Sequence, residues 1–213
     1  MSRIDRSVAW LAPALALALG LLSPGIAFAG PGYINFMFGQ KVYDSDDWDP
    51  IDKQTGFGVE GVFGPAKWPV QMDAYVHRTS GDKSVTISGM PGNIEGETFE
   101  FGFGANKTFG AKRIRPYLNA GFVHAKTDVT VSQSGTSGSD SASGFGFWGG
   151  AGAFYRLGSA FNIGGAVRYS AVDVDFNDFT TTIGSVPISG ETVAAGGLAF
   201  GVLLGWSWPA MRE

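Results

Sequence analysis

Large apolar side chains alternate with small ones from Gly197 to Trp208, near the end of the chain. The large ones are Leu198, Phe200, Val202, Leu204, Trp206 and Trp208. A helix would scatter these six side chains around its circumference, whereas a strand places all of them on one face. The uncharged stretch over residues 192–211 is also long enough for a membrane helix. The alternation decides between the two structures, and it predicts a strand with one apolar face.

The same alternation recurs in seven segments upstream, which predicts eight strands in total. Phe99, Phe101 and Phe103, for example, share one face of a segment whose other face carries glycines. The segment over residues 144–156 is strand-like, but its phase stays open because Phe147 and Trp148 are adjacent. Short links rich in turn formers alternate with long polar links. The short links lie near residues 64–69, 110–113 and 157–160, and the long ones near 43–54, 79–96, 127–142 and 172–190.

An even number of strands joined by alternating short and long links is the layout of an outer-membrane barrel. Lipid offers no hydrogen-bond partner to an open sheet edge, so a sheet that spans a membrane must close on itself. We therefore predict an all-β fold, an eight-stranded antiparallel transmembrane up-and-down β-barrel. The six large side chains of the last strand would then face lipid. Five aromatic residues near strand ends are expected in the interfacial girdles, namely Tyr33, Trp68, Tyr155, Trp206 and Trp208.

Residues 1–29 have the layout of a secretory signal peptide. A positively charged start precedes an uncharged apolar stretch, and the small residues Ala27 and Ala29 mark a cleavage site. We predict cleavage before Gly30, which leaves residues 30–213 as the barrel domain. The alternative is an uncleaved membrane anchor, which two prolines in the segment disfavour.

Composition and motif spacing exclude several classes of function. The absence of cysteine excludes disulfide frameworks, thiol nucleophiles and Cys-ligated metals. A net charge of −4 disfavours a nucleic-acid partner. The aspartate-rich stretch over residues 44–52 lacks the spacing of a calcium loop, because Trp48 occupies a ligand position. Two Gly-x-Gly-x-x-Gly matches, at Gly56 and Gly144, continue as strands rather than helices, so neither predicts a dinucleotide site. We expect no metal and no cofactor.

Seven ionisable residues are expected to face the barrel interior. These are Lys41, Glu60, Asp73, His77, Glu100, Arg115 and Arg168. An unpaired charge in a narrow lumen is costly, so these groups must pair with one another. We interpret them as a charge network that plugs the lumen. The alternative is a gate, in which rearranged pairs open a conductance.

Short motifs resemble those of small outer-membrane barrels, a family that includes the OmpA membrane domain, OmpX and the opacity proteins. Arg115-Pro116-Tyr117 with Gly121 is similar to one of their strand starts, and Val167-Arg168-Tyr169-Ser170 to their seventh strand. The closing strand resembles the signal read by barrel-assembly machinery, although here the chain continues to Glu213. The resemblance implies the outer membrane of a Gram-negative-type bacterium, with both termini in the periplasm. It also implies contact with membrane lipid and lipopolysaccharide, help from periplasmic chaperones during assembly, and a monomer.

Three functions remain, and the sequence favours the first of them. It is a structural or surface-interaction role, in envelope integrity or in adhesion through long external loops. The second is a narrow porin-like channel for ions or small solutes. The third is a lipid A-modifying enzyme, which would draw on His124 with Asp128, Ser132 and Ser134. The His-x-Ser pattern of lipid A deacylases is absent, because Ala125 and Lys126 follow His124. We expect no catalytic residues.

Overall fold

The computed structural model describes residues 31–65, 67–87, 89–110, 113–133, 136–176 and 192–208. The predicted signal peptide and the residues beyond Trp208 lie outside these ranges. Within them, no helix is both long and apolar enough to span a membrane.

Nine strands and one short helix make up the described part of the chain. The strands are β1 (Gly32–Val42), β2 (Lys53–Phe63), β3 (Gln71–Ile87), β4 (Met90–Thr108), β5 (Ile114–Gln133), β6 (Thr136–Leu157), β7 (Phe161–Asp175), β8 (Thr192–Ala194) and β9 (Gly197–Trp208), and the helix α1 (Ser45–Trp48) follows β1.

Eight of these strands form a closed antiparallel barrel. Each strand from β1 to β6 pairs with the next, and β9 pairs with both β7 and β1. The closing seam runs from the pair Gly32 and Trp208 to the pair Val42 and Leu198. The short β8 lies outside this circuit and pairs only with the end of β7. The predicted eight-stranded up-and-down barrel is confirmed.

The alternation of side chains separates an apolar outer face from a filled interior. On β4 the outward Phe99, Phe101 and Phe103 are 40–48% exposed. The phase of β6, open from sequence, follows from the same pattern. Phe147 points outward and is 65% exposed, whereas the adjacent Trp148 points inward and is 3% exposed. The two neighbouring rings therefore lie on opposite sides of the barrel wall.

Inward glycines make room for tyrosine rings from the neighbouring strand. Tyr75 on β3 is paired with Gly102 on β4, and a Cβ atom at Gly102 would lie 2.0 Å from the Tyr75 ring. Tyr117 on β5 is paired with Gly152 on β6, where a Cβ atom would lie 2.5 Å from the Tyr117 ring. Because no other residue type lacks a Cβ, glycine at these positions lets both rings lie flat within a narrow lumen.

Two of the four long links differ from the predicted loops. The segments predicted near 79–96 and 127–142 continue as paired strands almost to their tips, ending at the pairs Ile87 with Met90 and Gln133 with Thr136. The serines, threonines and glycines of these segments form no apolar face. Their backbone groups can still form ladder hydrogen bonds with the neighbouring strand. We call residues 80–87, 90–98, 127–133 and 136–143 the outer wall. We call the end of the barrel that carries this wall the hairpin end, and the opposite end the turn end.

Candidate functional site in the barrel interior

Six of the seven predicted interior charges are buried inside the barrel. Lys41 lies on β1, Glu60 on β2, Asp73 and His77 on β3, Glu100 on β4 and Arg168 on β7, and each is at most 6% exposed. The seventh, Arg115, is half-buried near the start of β5, at the turn end. All six side chains point into the lumen from five strands, and they form two groups along the barrel axis.

The first group of side chains, the upper cluster, comprises Lys41, His77, Glu100 and Ser170. The Lys41 Nζ atom lies 2.6 Å from one carboxylate oxygen of Glu100, and the Ser170 hydroxyl lies 2.7 Å from the same oxygen. The Nδ1 atom of His77 lies 3.7 Å from the other oxygen. All four side chains are buried. The Glu100 carboxylate therefore contacts side chains from three other strands, β1, β3 and β7, and links these strands across the lumen.

The second group, the lower cluster, is built around Glu60, Asp73 and Arg168. Arg168 forms an ion pair with Glu60. The Asn119 amide donates to Asp73 at 2.8 Å and to Glu60 at 3.4 Å, so it bridges the two carboxylates. The Asn106 amide donates to the Tyr33 hydroxyl at 2.9 Å and to Asp73 at 3.3 Å. These uncharged partners were not predicted from sequence, although Asn106 and Asn119 stand on inward faces that the alternation identifies.

Aromatic rings pack on the Arg168 guanidinium of the lower cluster. Its Cζ atom lies 3.7 Å from the centroid of the Tyr75 ring and 5.1 Å from that of Trp148. Tyr75 and Trp148 meet edge to face with centroids 4.9 Å apart. A desolvated cation on an aromatic face is favourable because the ring face carries negative potential. Tyr75, Trp148 and Arg168 are all buried in the lumen.

An apolar cap covers the hairpin end of the lumen, where the sequence predicts a long polar link with an aspartate-rich stretch. Tyr43, Trp48 and Ile51 are buried together. The Trp48 indole donates to the carbonyl of Ala194 at 2.7 Å, and the backbone N–H of Ala194 donates to Asp47 at 2.8 Å. Burial raises the pKa of the Tyr43 phenol, whose oxygen lies 2.6 Å from the Thr79 hydroxyl. The first long link thus folds inward against β8.

The large side chains of the last strand and Tyr33 were predicted to lie on the outer face of the barrel. Five large side chains of the last strand are exposed on the outer face, and Trp208 is half-buried. Tyr33 was expected in an interfacial girdle, but this is wrong: it is 3% exposed and points into the lower cluster. An odd-numbered position on β1 faces inward, and the hydroxyl of Tyr33 finds hydrogen-bond partners there.

The side chains considered for an enzyme do not converge in the described part of the chain. The His124 ring packs on the outward Phe145 with centroids 4.5 Å apart. Asp128 pairs with Lys126 at 3.3 Å, and Ser132 donates to the carbonyl of Asn93 at 3.5 Å. Ser134 lies outside the described residues. Among the residues described, no three His, Asp or Glu side chains are grouped as a metal site.

A closed barrel with an apolar outer face and a filled polar interior defines the class of small transmembrane β-barrels. The model of the family described as "Outer membrane protein beta-barrel domain" matches residues 11–186. The chain therefore belongs to this family, and it is an outer-membrane β-barrel protein. The predicted resemblance to small outer-membrane barrels is confirmed. No curated protein sequence matches the chain.

Solved structures show the same fold at low sequence identity. OprG from Pseudomonas aeruginosa is similar with a TM-score of 0.60 and 13% identity, over 85% of this chain and 97% of that one. The attachment invasion locus protein Ail of Yersinia pestis has a TM-score of 0.51 and 16% identity, over 84% of this chain and 99% of that one. Ail in complex with the heparin analogue sucrose octasulfate gives 0.52 and 15%, over the same shares. At these identities the likeness establishes the fold.

Proposed function

We propose that this protein is a closed outer-membrane barrel with a structural and surface-interaction role, not a conducting or catalytic one. The observation that supports this most directly is the filled interior. The upper and lower clusters occupy the lumen, and the apolar cap lies over its hairpin end. Passage of a solute through the lumen would require these ion pairs to break in a poorly hydrated interior. This is unfavourable because buried charges would be left without partners.

The outer wall is the surface that we propose for interaction. The strands β3 to β6 have 17 to 22 residues, whereas a tilted strand crosses a bilayer with roughly 9–11. The excess forms a four-stranded sheet held in register, for example by the pair Gly92 and Gln133. A pre-ordered sheet presents side chains to a partner with less entropic cost than a loop that must order on binding.

The charge on the outer wall indicates the kind of partner. Asp82 is paired directly with Glu95, and Glu97 with Asp128, all on the outward face. Arg78 and Lys126 offset two of these carboxylates. An excess of carboxylates repels polyanions. Ail was solved with a sulfated sugar, but we propose that the outer wall of this protein selects neutral or cationic partners instead.

We also propose the arrangement of the chain in the envelope. The signal peptide, residues 1–29, is removed on export. Both ends of the described barrel lie at the turn end, where Gly32 and Trp208 are paired, and this end faces the periplasm. The five exposed side chains of the last strand, from Leu198 to Trp206, contact lipid and lipopolysaccharide. The protein inserts as a monomer with the help of barrel-assembly machinery and periplasmic chaperones.

Conductance measurements test the closed interior. The purified mature protein, inserted into planar bilayers, should show no current steps above the membrane leak, because the two clusters and the cap obstruct the lumen. A porin inserted under the same conditions serves as the positive control. Steady, reproducible steps from the wild-type protein would contradict the proposal and support the narrow-channel alternative.

Cysteine labelling tests the orientation, and the lack of native cysteines makes it specific. Thr86 lies exposed on the outer wall and Ser159 lies exposed in the turn between β6 and β7. In intact cells, Thr86→Cys should react with a membrane-impermeant maleimide and Ser159→Cys should not, while both should react after lysis. The opposite pattern in intact cells would invert the proposed orientation.

A further inference from the structure

A cavity opens at the turn end of the barrel, on the side away from the cap. Its volume is about 240 Å³ and its lining includes Lys107, Arg115 and Arg156. No carboxylate is among the described residues that line it. The two charge clusters deeper in the barrel pair each cation with a carboxylate, as in Lys41 with Glu100 and Arg168 with Glu60. The described lining of the cavity is therefore basic, whereas both clusters contain carboxylates.

Arg156 is the residue on which the site depends. It points inward from β6, is 6% exposed, and its Nε–H has no hydrogen-bond partner among the described residues. Its backbone N–H donates to the carbonyl of Arg113 at 2.8 Å, which fixes the position of the residue at the rim. A buried guanidinium with an unsatisfied N–H is unfavourable, and an acceptor that reached this atom would remove the penalty.

The surroundings of Arg156 favour an anion as that acceptor. Arg115, which is paired with Phe154 on the neighbouring strand, lies near enough to act electrostatically on Arg156. The combined positive charge of the two guanidinium groups attracts an anion. The rings of Tyr33 and Phe154 meet edge to face with centroids 5.0 Å apart, and both are buried. Both rings line the cavity.

We propose that this cavity binds a small oxyanion, the phosphate or carboxylate group of a solute from the compartment at the turn end. A guanidinium presents paired N–H donors that match both groups in geometry. The volume accommodates one such group with few attached atoms. If the proposed orientation holds, the compartment is the periplasm, but the site itself depends only on the geometry of the cavity.

Calorimetric titration of the mature protein in a non-ionic detergent tests the site. Inorganic phosphate and acetate are titrated separately at constant ionic strength, and at least one of them should bind saturably to a single site. Arg156→Gln should weaken that binding by about tenfold or more, since it removes a charged hydrogen-bond donor. Arg156→Lys should fall between the two, because it keeps the charge and loses the paired donors. The arm that binds identifies the group as a phosphate or a carboxylate.

Two controls keep the result interpretable. Arg78→Gln removes an exposed arginine at the hairpin end, paired with Glu97, and should bind as the wild type does. If Arg156→Gln does not show the heat-dependent gel mobility of a folded barrel, Arg115→Gln replaces it in the comparison. Absence of saturable binding to both anions would overturn the proposal, as would equal binding by the wild type and the folded cavity variant.

Discussion

Replacing Arg168 with methionine should lower the free energy of unfolding by about 3–5 kcal/mol, the usual cost of removing one partner from a buried ion pair. The substitution keeps much of the side-chain volume but leaves the carboxylates of Glu60 and Asp73 without a cation in the lower cluster. It also removes the cation from the faces of Tyr75 and Trp148. Urea unfolding of the barrel in lipid vesicles measures the loss.

An exposed ion pair provides the matched control for this effect. Arg78 pairs with Glu97 at 2.6 Å, but both side chains are 41% exposed. Arg78→Met should therefore cost less than about 1 kcal/mol. Adding Glu60→Gln to Arg168→Met should restore part of the loss, because one stranded charge is removed. Equal stabilities of Arg168→Met and Arg78→Met would show that the lower cluster is hydrated rather than buried.

Replacing Val202 with arginine should destabilise the barrel by about 2–4 kcal/mol, the cost of a cation facing lipid near the midplane. Val202 is 55% exposed and lies midway between Leu198 and Trp206 on the outward face of β9. It is flanked by Phe38 on β1 and by Gly165 on β7. The same vesicle unfolding experiment measures the change.

A change of depth distinguishes lipid contact from a packing defect. Leu198→Arg, four residues toward the hairpin end, should cost no more than about 1 kcal/mol because the cation reaches the interface. Val202→Leu should leave stability nearly unchanged, since one apolar side chain replaces another on the exposed outer face. If the cost of arginine were the same at residues 198 and 202, the proposed lipid-facing surface would be wrong.

Side-chain alternation predicted the barrel because lipid imposes the same two-sided pattern on every spanning strand. The pattern is local, so a short segment such as Phe99 to Phe103 reveals its own faces. The alternation was least informative in segments that have no apolar face. The serines and threonines of the outer wall do not distinguish a paired strand from a loop. Pairing there depends on the neighbouring strand, which a single segment does not encode.

The interior contacts were harder to predict than the faces that carry them. Alternation placed Glu60 and Arg168 inward, yet 108 residues separate them along the chain. Their pairing depends on the stagger of strands around the barrel, which no local pattern specifies. An inward amide such as that of Asn119 does not by itself indicate a role in a charge cluster, because amides are common on the inward faces of barrel strands. Trp48 in the cap is different, because a large apolar residue within an acidic stretch indicates a buried position.

The pairing of β1 with β9 constrains the order in which the molecule can be made. As synthesis proceeds, each strand from β2 to β7 can pair with the one before it, but one edge of β1 has no neighbour until β9 exists. A chain that stops before Gly197 would present open edges on both β1 and β7. The barrel can therefore close only when the twelve residues of β9 are present, because they supply the last pairing on both sides.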